Sequence, residues 1–475
     1  MSWQARVLVG VAAAAVLSGG TAAAATAASP WGTAREVPGT GELNKAKNAA
    51  VTALSCARPG DCAAGGYYAP HGRRQAFVAS ETGGTWHQAI EVPGTAALDQ
   101  GNQARVTSVS CPAAGTCVAG GWYVDSTRHT QAFVAAETGG TWHQAIELPG
   151  TAALEGGRPW AEVTTLSCPA PGDCLAGGFY RGHSGGLESL VATESGGTWQ
   201  AATELAGTGT LNKDGDGQVS SVSCAAPGDC LAGGDYASAS VTQPDAAVPQ
   251  VYVATETGGR WQAAQQVPGT ATSTSAGKTE LNSVSCATPG NCAAVGAFAN
   301  DTGFLASQVK GTWRTAVHVP GRSPAGAGTV SCAAPGDCTA GGLYLAPDGV
   351  EWALVVSSTD GTWKKAQLLP GQSALNSTPT ARASVYSLSC PTLASCAAGG
   401  SYIDRAGNFQ ALVATETGGK WGAVQELPGS AALNQGQNAL VNVVSCAAAG
   451  HCAAGGYYAG KGSLLDLQAM VTAGS

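Results

Sequence analysis

The sequence predicts an all-β fold: an eight-bladed β-propeller with four antiparallel strands per blade, its ring closed by the N-terminal strand. Three observations carry that expectation. A unit holding one C-x5-C pair occurs eight times. Each unit divides into four short strand candidates separated by Gly and Pro turns. The last unit lacks its fourth strand, and the missing piece stands at the other end of the chain.

The cysteines set the register of the repeat. They fall as Cys56/Cys62, Cys111/Cys117, Cys168/Cys174, Cys224/Cys230, Cys286/Cys292, Cys332/Cys338, Cys390/Cys396 and Cys446/Cys452, at steps of 55, 57, 56, 62, 46, 58 and 56 residues. A full unit reads V-x-S-V-S-C-A-x-P-G-D-C-x-A-G-G-x-Y, then A-x-V-A-T-E-T-G-G-x-W-x-x-A, then P-G and a polar loop. In the first unit the strand candidates are Val51 to Cys56, Cys62 to Ala69, Gln75 to Glu81 and Thr85 to Val92. Pro59-Gly60, His71-Gly72 and Gly83-Gly84 separate them, as expected for antiparallel hairpins. No sustained helical period interrupts the pattern. One such sheet buries too little alone, so the units are expected to stack face to face around an axis.

The chain ends argue for a closed ring. The eighth unit stops after its third strand, Leu467 to Ala473, without W-x-x-A or P-G. Trp31-Gly32-Thr33-Ala34 and Pro38-Gly39 supply those parts. Trp31 thus joins Trp86, Trp142, Trp199, Trp261, Trp313, Trp363 and Trp421 as the recurring tryptophan. Closure removes long unpaired sheet edges. The recurring Trp is expected to fill the wedge between neighbouring sheets.

Residues 1–28 read as a secretory signal peptide, followed by the propeller over 29–475. Met1 to Arg6 carries one positive charge, Val7 to Gly19 is uncharged, and Thr21 to Ser29 offers A-x-A cleavage sites. The apolar run is too short to span a bilayer, and no membrane span is expected elsewhere. In a secreted, extracellular chain, 16 paired cysteines read as local disulfides, one per C-x5-C. Five intervening residues and seven scattered His do not fit zinc, and no metal site or cofactor is expected. A net charge of -8 with 11% charged residues gives no overall basic footprint for nucleic acid.

Two segments imitate catalytic or metal motifs. Gly182-His183-Ser184-Gly185-Gly186 fits G-x-S-x-G but sits where a hairpin turn is expected, not on a strand-turn-helix elbow. Asp214-Gly215-Asp216-Gly217 alternates carboxylates without the rest of a calcium loop. No catalytic residue is assigned, and no enzyme is expected. A glycosidase or oxidoreductase is the enzymatic alternative.

Three resemblances bear on function. The repeated E-T-G-G-x-W resembles a degenerate Asp-box of sialidase-like propellers, with Ser358-Thr359-Asp360-Gly361-Thr362-Trp363 nearest to it. Asp-boxes are structural turns, and the Arg, Tyr, Glu and Asp set of a sialidase is not found. The same segment resembles the Trp-docking repeat of eight-bladed quinoprotein dehydrogenases, without their adjacent cysteine pair. Across residues 29–475, the repeated S-C-x-x-P-G-x-C-x-A-G-G-x-Y resembles lectin subunits of the umbrella toxin particles of filamentous actinomycetes. That resemblance implies a β-propeller lectin that recognises a target cell surface, partnered by adaptor and toxin subunits. No binding residue transfers by motif.

The residues themselves suit a carbohydrate-binding protein. Sugars want an aromatic face with amide and carboxylate side chains beside it. The residue before the recurring Tyr varies: Tyr67, Trp122, Phe179, Asp235, Leu343, Ser401 and Tyr457. Strand alternation makes the recurring Tyr core and its variable neighbour exposed. The loop after P-G is rich in amides, including Asn44, Asn48, Asn102, Asn434 and Asn438. Turn chemistry explains such residues equally well. The expected ligand-binding residues are Tyr67, Trp122, Tyr457, Asn44, Asn102 and Asn438, on the sector of units eight, one and two. Units five and six depart from the repeat, with Ala294-Val295-Gly296 for A-G-G and a short link Arg322–Gly328, and are expected to face a protein partner or nothing. The expected ligand is a cell-surface glycan or cell-wall polymer. A protein-interaction scaffold without a sugar site is the alternative.

Overall fold

A computed structural model describes residues 31–239, 247–271, 278–298, 302–375 and 381–473. The expected signal peptide lies outside the described residues. Eight antiparallel sheets follow one another along the chain, each ordered first strand, second, third, outer. The first strands are Ala50–Arg58, Ala104–Ala113, Ala161–Ala170, Gln218–Ala226, Glu280–Thr288, Ala325–Ala334, Ala383–Thr392 and Ala439–Ala448. Each touches the next, and the last touches the first. They therefore form the inner ring of an eight-bladed propeller, numbered here as blades 1 to 8.

The outer strand is not continuous as the sequence suggested. In blade 1 it is two pairs of residues, Thr85–Trp86 and Ile90–Glu91, both on the third strand Gln75–Thr82. Between them the backbone turns to the neighbouring blade, where Ala89 N–H donates to the Pro38 carbonyl at 2.7 Å. The same bond recurs at every interface, from Ala34, Ala145, Ala202, Ala264, Ala316, Ala366 and Val424. The A of W-x-x-A and the P of P-G are thus two halves of one inter-blade contact, with Ala206 replacing the proline once. The glycine of P-G takes φ near +85°, as at Gly94 and Gly150, and opens a one-turn helix such as Thr95–Leu98.

A second ring of hydrogen bonds explains S-C. The N–H of each first cysteine donates to the Oγ of the serine preceding the first cysteine of the blade before. The pairs run from Cys111 to Ser55 through to Cys446 and Ser389, at 2.9–3.0 Å. Cys56 N–H to Ser445 Oγ, 3.0 Å, completes the circle.

The N-terminal segment closes blade 8 as the sequence predicts. Arg35 and Glu36 pair with Val471 and Met470. Trp31 is buried, and its indole N–H donates to Thr415 Oγ1 in blade 7 at 3.0 Å. Tyr458 donates to Glu36 at 2.8 Å, as Tyr68 and Tyr123 do to Glu91 and Glu147 in their own blades.

All eight C-x5-C pairs are disulfides, with Cα–Cα distances of 3.9–4.1 Å across the first hairpin. Each closes a loop of about seven residues, worth about 2 kcal/mol in the chain-entropy account. Such a set belongs to an oxidising environment. The second half-cystines, Cys62, Cys117, Cys174, Cys230, Cys292, Cys338, Cys396 and Cys452, are buried at 3–6% exposure. Cys117, Cys292 and Cys452 pack into the apolar clusters between sheets. They are core residues, because a half-cystine packs as a small apolar group. The disulfide turns and the Gly-Gly turns meet at one end of the ring, where Gly84 N–H donates to Gly60 O at 2.9 Å. The other end carries the hairpins between second and third strands and the loops between blades.

One departure in units five and six, Val295 in place of the repeat glycine, is packing. A Cβ on Gly65 in blade 1 would stand 2.5 Å from Val106 Cγ1 of blade 2. Blade 5 puts Val295 at that position, and the facing residue of blade 6 is Ala327 instead of valine; both are buried in one cluster. Volume moves from one side of the interface to the other and is conserved across it.

Candidate functional site

The two ends of the ring differ in kind. At the disulfide end the hollows are seams between blades. The largest of these, about 590 Å³, is lined by Cys174, Glu194, Cys230, Glu256 and Trp261, all repeat positions. A similar seam of about 430 Å³ is lined by Cys338, Cys390, Glu416 and Trp421. They recur because the repeat recurs. Burial raises the Glu194, Glu256 and Glu416 carboxyls.

At the loop end, the space between blades 2 and 3 holds an open cleft of about 580 Å³. Trp122 and Trp160 line it, with Arg73, Asn102, Gln103, Arg128 and Glu162 around them. Trp122 stands on the second strand Thr116–Val124, cross-strand from Arg105. Trp160 precedes the first strand of blade 3, and its indole N–H donates to Glu162 Oε1 at 2.8 Å. Phe179 supports it edge-on, with ring centroids 5.4 Å apart. Both indoles are half-buried, so part of each remains free to meet a ligand.

The hairpin of blade 2 is built to present Arg128. Asp125 Oδ1 accepts from Thr127 N–H, Thr127 Oγ1 and His129 N–H at 2.7–2.9 Å. Burial pushes this carboxyl up, but those hydrogen bonds outweigh it and hold it below its usual range. The turn closes with Arg128 N–H on Asp125 O, leaving Arg128 at φ +68°. The same turn position is Gly185, Gly349 and Gly407 in blades 3, 6 and 7, at φ +84° to +89°. A side chain in this region costs about 1 kcal/mol that glycine avoids. Blade 2 carries that strain and gains a guanidinium in the cleft.

The other sequence-derived candidates fall out differently. Tyr67 is 7% exposed and lies under two guanidiniums, Arg74 at 4.3 Å and Arg105 at 5.5 Å from its ring centre. Asn44 is 2% exposed, and its amide ties blade 1 to blade 8. It donates to Leu467 O and Gln468 Oε1 and accepts from Asn48 and Ala69 N–H. Asn212 and Asn434 do the same work between blades 3 and 4 and between blades 7 and 8. Blades 2 and 3 have Asp99 and Glu155 at this position, with carboxyls that burial raises to about 6 and about 7. Tyr457 is half-buried, and Asn438 donates to Leu464 O at 3.0 Å; both belong to blade 8. Of the six, the structure brings Trp122 and Asn102 together in the cleft, and the other four lie outside its lining. The half-cystines take no part in it. Cys117 opens the strand that carries Trp122 towards the loop end, and Cys292 and Cys452 hold the same place in blades 5 and 8. All three therefore stand at the disulfide end, away from the cleft lining.

Sequence reasoning missed Trp160, Arg73, Arg128 and Glu162. A Trp outside the repeat register was the available signal for Trp160, and an Arg at a repeat glycine was the signal for Arg128. The G-x-S-x-G segment is a hairpin turn, closed by Gly182 N–H on Gly186 O at 2.9 Å. Among the described residues, no group of three His, Cys, Asp or Glu is placed to hold a metal ion. No described helix is long and apolar enough to cross a membrane.

No protein-family model matches the chain, and no curated protein matches it. Among solved structures, the BP39L lectin from Burkholderia pseudomallei is 12% identical, with 80% of this chain and 99% of that chain covered and a TM-score of 0.45. YCF48 bound to a D1 peptide is 14% identical, with coverages of 78% and 92% and a TM-score of 0.40. A polysaccharide lyase, an ulvan lyase, is 11% identical, with coverages of 92% and 95% and a TM-score of 0.41. Overlaps this loose leave the function to be argued from the side chains of this chain.

Proposed function

We propose that this chain is a secreted carbohydrate-binding propeller whose ligand site is the loop-end cleft between blades 2 and 3. One observation carries the reading: two half-exposed indoles, Trp122 and Trp160, share an open cleft with Arg, Asn, Gln and Glu side chains. Indole faces take the C–H surface of a sugar, and the surrounding donors and acceptors take its hydroxyls. Trp122 stacks on the sugar ring, Asn102 and Gln103 bond its hydroxyls, and Glu162 accepts from them. Residues 1–28 act as the signal peptide.

A binder fits better than an enzyme. Asp235, raised to about 6 mainly by burial, accepts from Leu281 N–H, Gln218 and Ser220. Asp99 accepts from Gln103 and Val124 N–H. The accepting oxygens, both of Asp235 and Oδ1 of Asp99, are committed to the fold.

The resemblance to toxin-particle lectins supports a narrower role: target recognition within an antibacterial complex, on adaptor and toxin subunits. Affinity capture from the producer's culture supernatant tests it, and recovery of this chain alone would remove it. A glycan array on the folded protein tests carbohydrate binding itself. Binding to a defined set of glycans, lost in Trp122→Ala, is the expected result. No glycan bound, with a protein recovered on capture, would favour the scaffold alternative.

A further inference from the structure

The loop end of blades 1 to 3 concentrates positive charge on a chain whose net charge is -8. Arg73, Arg74, Arg105, Arg128, Arg158 and Arg181 all stand there, on the hairpins, the loops between blades and the adjoining strand ends. Among the described residues the ion pairs are Lys47–Asp466, Arg58–Asp61 and Arg382–Glu351, and none includes these six. The nearby carboxylates compensate them only in part, with Glu162 acting on Arg105. Asp125 is spent on its own turn, and Glu162 holds the Trp160 indole.

A second hollow adjoins the cleft. It measures about 620 Å³ and is lined by Gly157, Arg158, Arg181, Gly182, His183, Ser184 and Gly185. Trp160 is the wall between the two. It lines the cleft, and the guanidinium of Arg181, which lines the second hollow, lies over its ring 4.8 Å from the centre. Arg181 N–H also donates to Trp160 O at 2.7 Å, which fixes the wall against blade 3. Gly157 and Gly185 leave open space above the second hollow. A ligand lying across residues 157–160 would therefore meet arginines before the indole and arginines after it.

We propose that the ligand is an anionic sugar polymer, bearing carboxylate, sulfate or phosphate groups, and that it occupies two subsites. One charged unit lies between Arg73 and Arg128 in the cleft. A later charged unit, separated from the first by the units that cross Trp160, lies between Arg158 and Arg181 in the second hollow. This rests on the carbohydrate reading of the cleft and adds to it the charge and the length of the ligand. Guanidinium groups suit such anions because they offer paired donors in one plane.

The test is a calorimetric titration of the intact protein at several salt concentrations. The probes are polygalacturonate, dextran sulfate, phosphomannan and neutral dextran, with oligothymidylate as a non-sugar polyanion. At least one charged polysaccharide is expected to bind at physiological salt, with affinity falling as salt rises, while dextran does not bind. Arg158→Gln is expected to weaken the long polymer at least tenfold and to leave its disaccharide unchanged, since the disaccharide fills only the cleft. Arg158 is exposed, so this variant spares the fold; Arg158→Gln with Arg181→Gln should deepen the effect. Dextran binding as tightly as the charged polymers would overturn the charge claim and leave the carbohydrate reading standing. Equal losses for polymer and disaccharide, or none, would overturn the second subsite. Oligothymidylate binding as tightly with the same Arg158 dependence would overturn the sugar assignment. Binding to none of the charged polysaccharides would overturn the inference, while the glycan array decides the cleft separately.

Discussion

The disulfide end and the loop end of this propeller obey different rules. At the disulfide end the blades repeat the same contacts: a serine accepting from the next blade's half-cystine in all eight, a Gly-to-Gly hydrogen bond in blades 1 to 6 with Ala394 as the acceptor in blade 7, and a buried acid or its substitute beside the tryptophan. At the loop end the blades diverge. The same turn position holds glycine in blades 3, 6 and 7 and a strained Arg128 in blade 2. The same cap is Asn44, Asp99, Glu155, Asn212 and Asn434 in turn. What repeats eight times is architecture, and what breaks the repeat at some energetic cost is where a ligand site is to be sought.

The largest effects are expected where repeated contacts are removed. Trp31→Ala takes a buried indole and its bond to Thr415 from the closing strand, and should cost about 3–5 kcal/mol by denaturant unfolding. An unchanged midpoint would mean that the N-terminal strand does not lock the ring. Val295→Gly opens a cavity at the interface of blades 5 and 6 and should cost about 3 kcal/mol. Adding Ala327→Val should recover at least half of that. If the double variant is no better than the single one, the exchange of volume is not the reason those blades depart from the repeat.

Smaller effects sharpen the contrast. Arg128→Gly should stabilise the fold by about 1 kcal/mol while weakening ligand binding, because it restores the repeat residue at a strained turn. Loss of stability would refute the strain argument. pH dependence should follow from acids of the loop end. Burial raises Asp99 and Asp235 to about 6 and Glu155 to about 7. Between the unfolded value near 4 and those values the folded chain holds more protons than the unfolded one. Stability from these groups is therefore full below about pH 4 and is lost as pH rises through 6 to 7. The melting temperature at pH 5 should exceed that at pH 8. Asp99→Asn should flatten the difference by about 1 kcal/mol, allowing for water at the rim, and should supply the amide that Asn44 uses in blade 1. A melting temperature that rises from pH 5 to pH 8 would contradict this.

The architecture was legible because it is written eight times. Cysteine spacing, W-x-x-A, P-G and the orphaned Trp31 fixed blade number, disulfide pairing and closure from the sequence. The broken outer strand was not legible, because only the neighbouring blade's proline carbonyl reveals why Ala89 leaves the sheet. The site was legible in part. Alternation marked Trp122 as the variable partner of a core tyrosine, yet the same rule placed Tyr67 outside, where Arg74 and Arg105 cover it. Amide content pointed to Asn44, which the fold spends on joining blades, and gave no sign of Trp160, which reaches the cleft from the following blade.

The central claim is that the cleft between blades 2 and 3 binds carbohydrate, and one measurement tests it most directly. Wild-type protein, Trp122→Ala and Lys364→Ala at the disulfide end are compared for binding to an arrayed glycan panel, with thermal unfolding as the control for folding. The expected result is three proteins of similar stability, of which wild type and Lys364→Ala bind the same glycans and Trp122→Ala binds them at least tenfold more weakly. Equal glycan binding by Trp122→Ala and wild type, or loss of binding in Lys364→Ala alone, would contradict it.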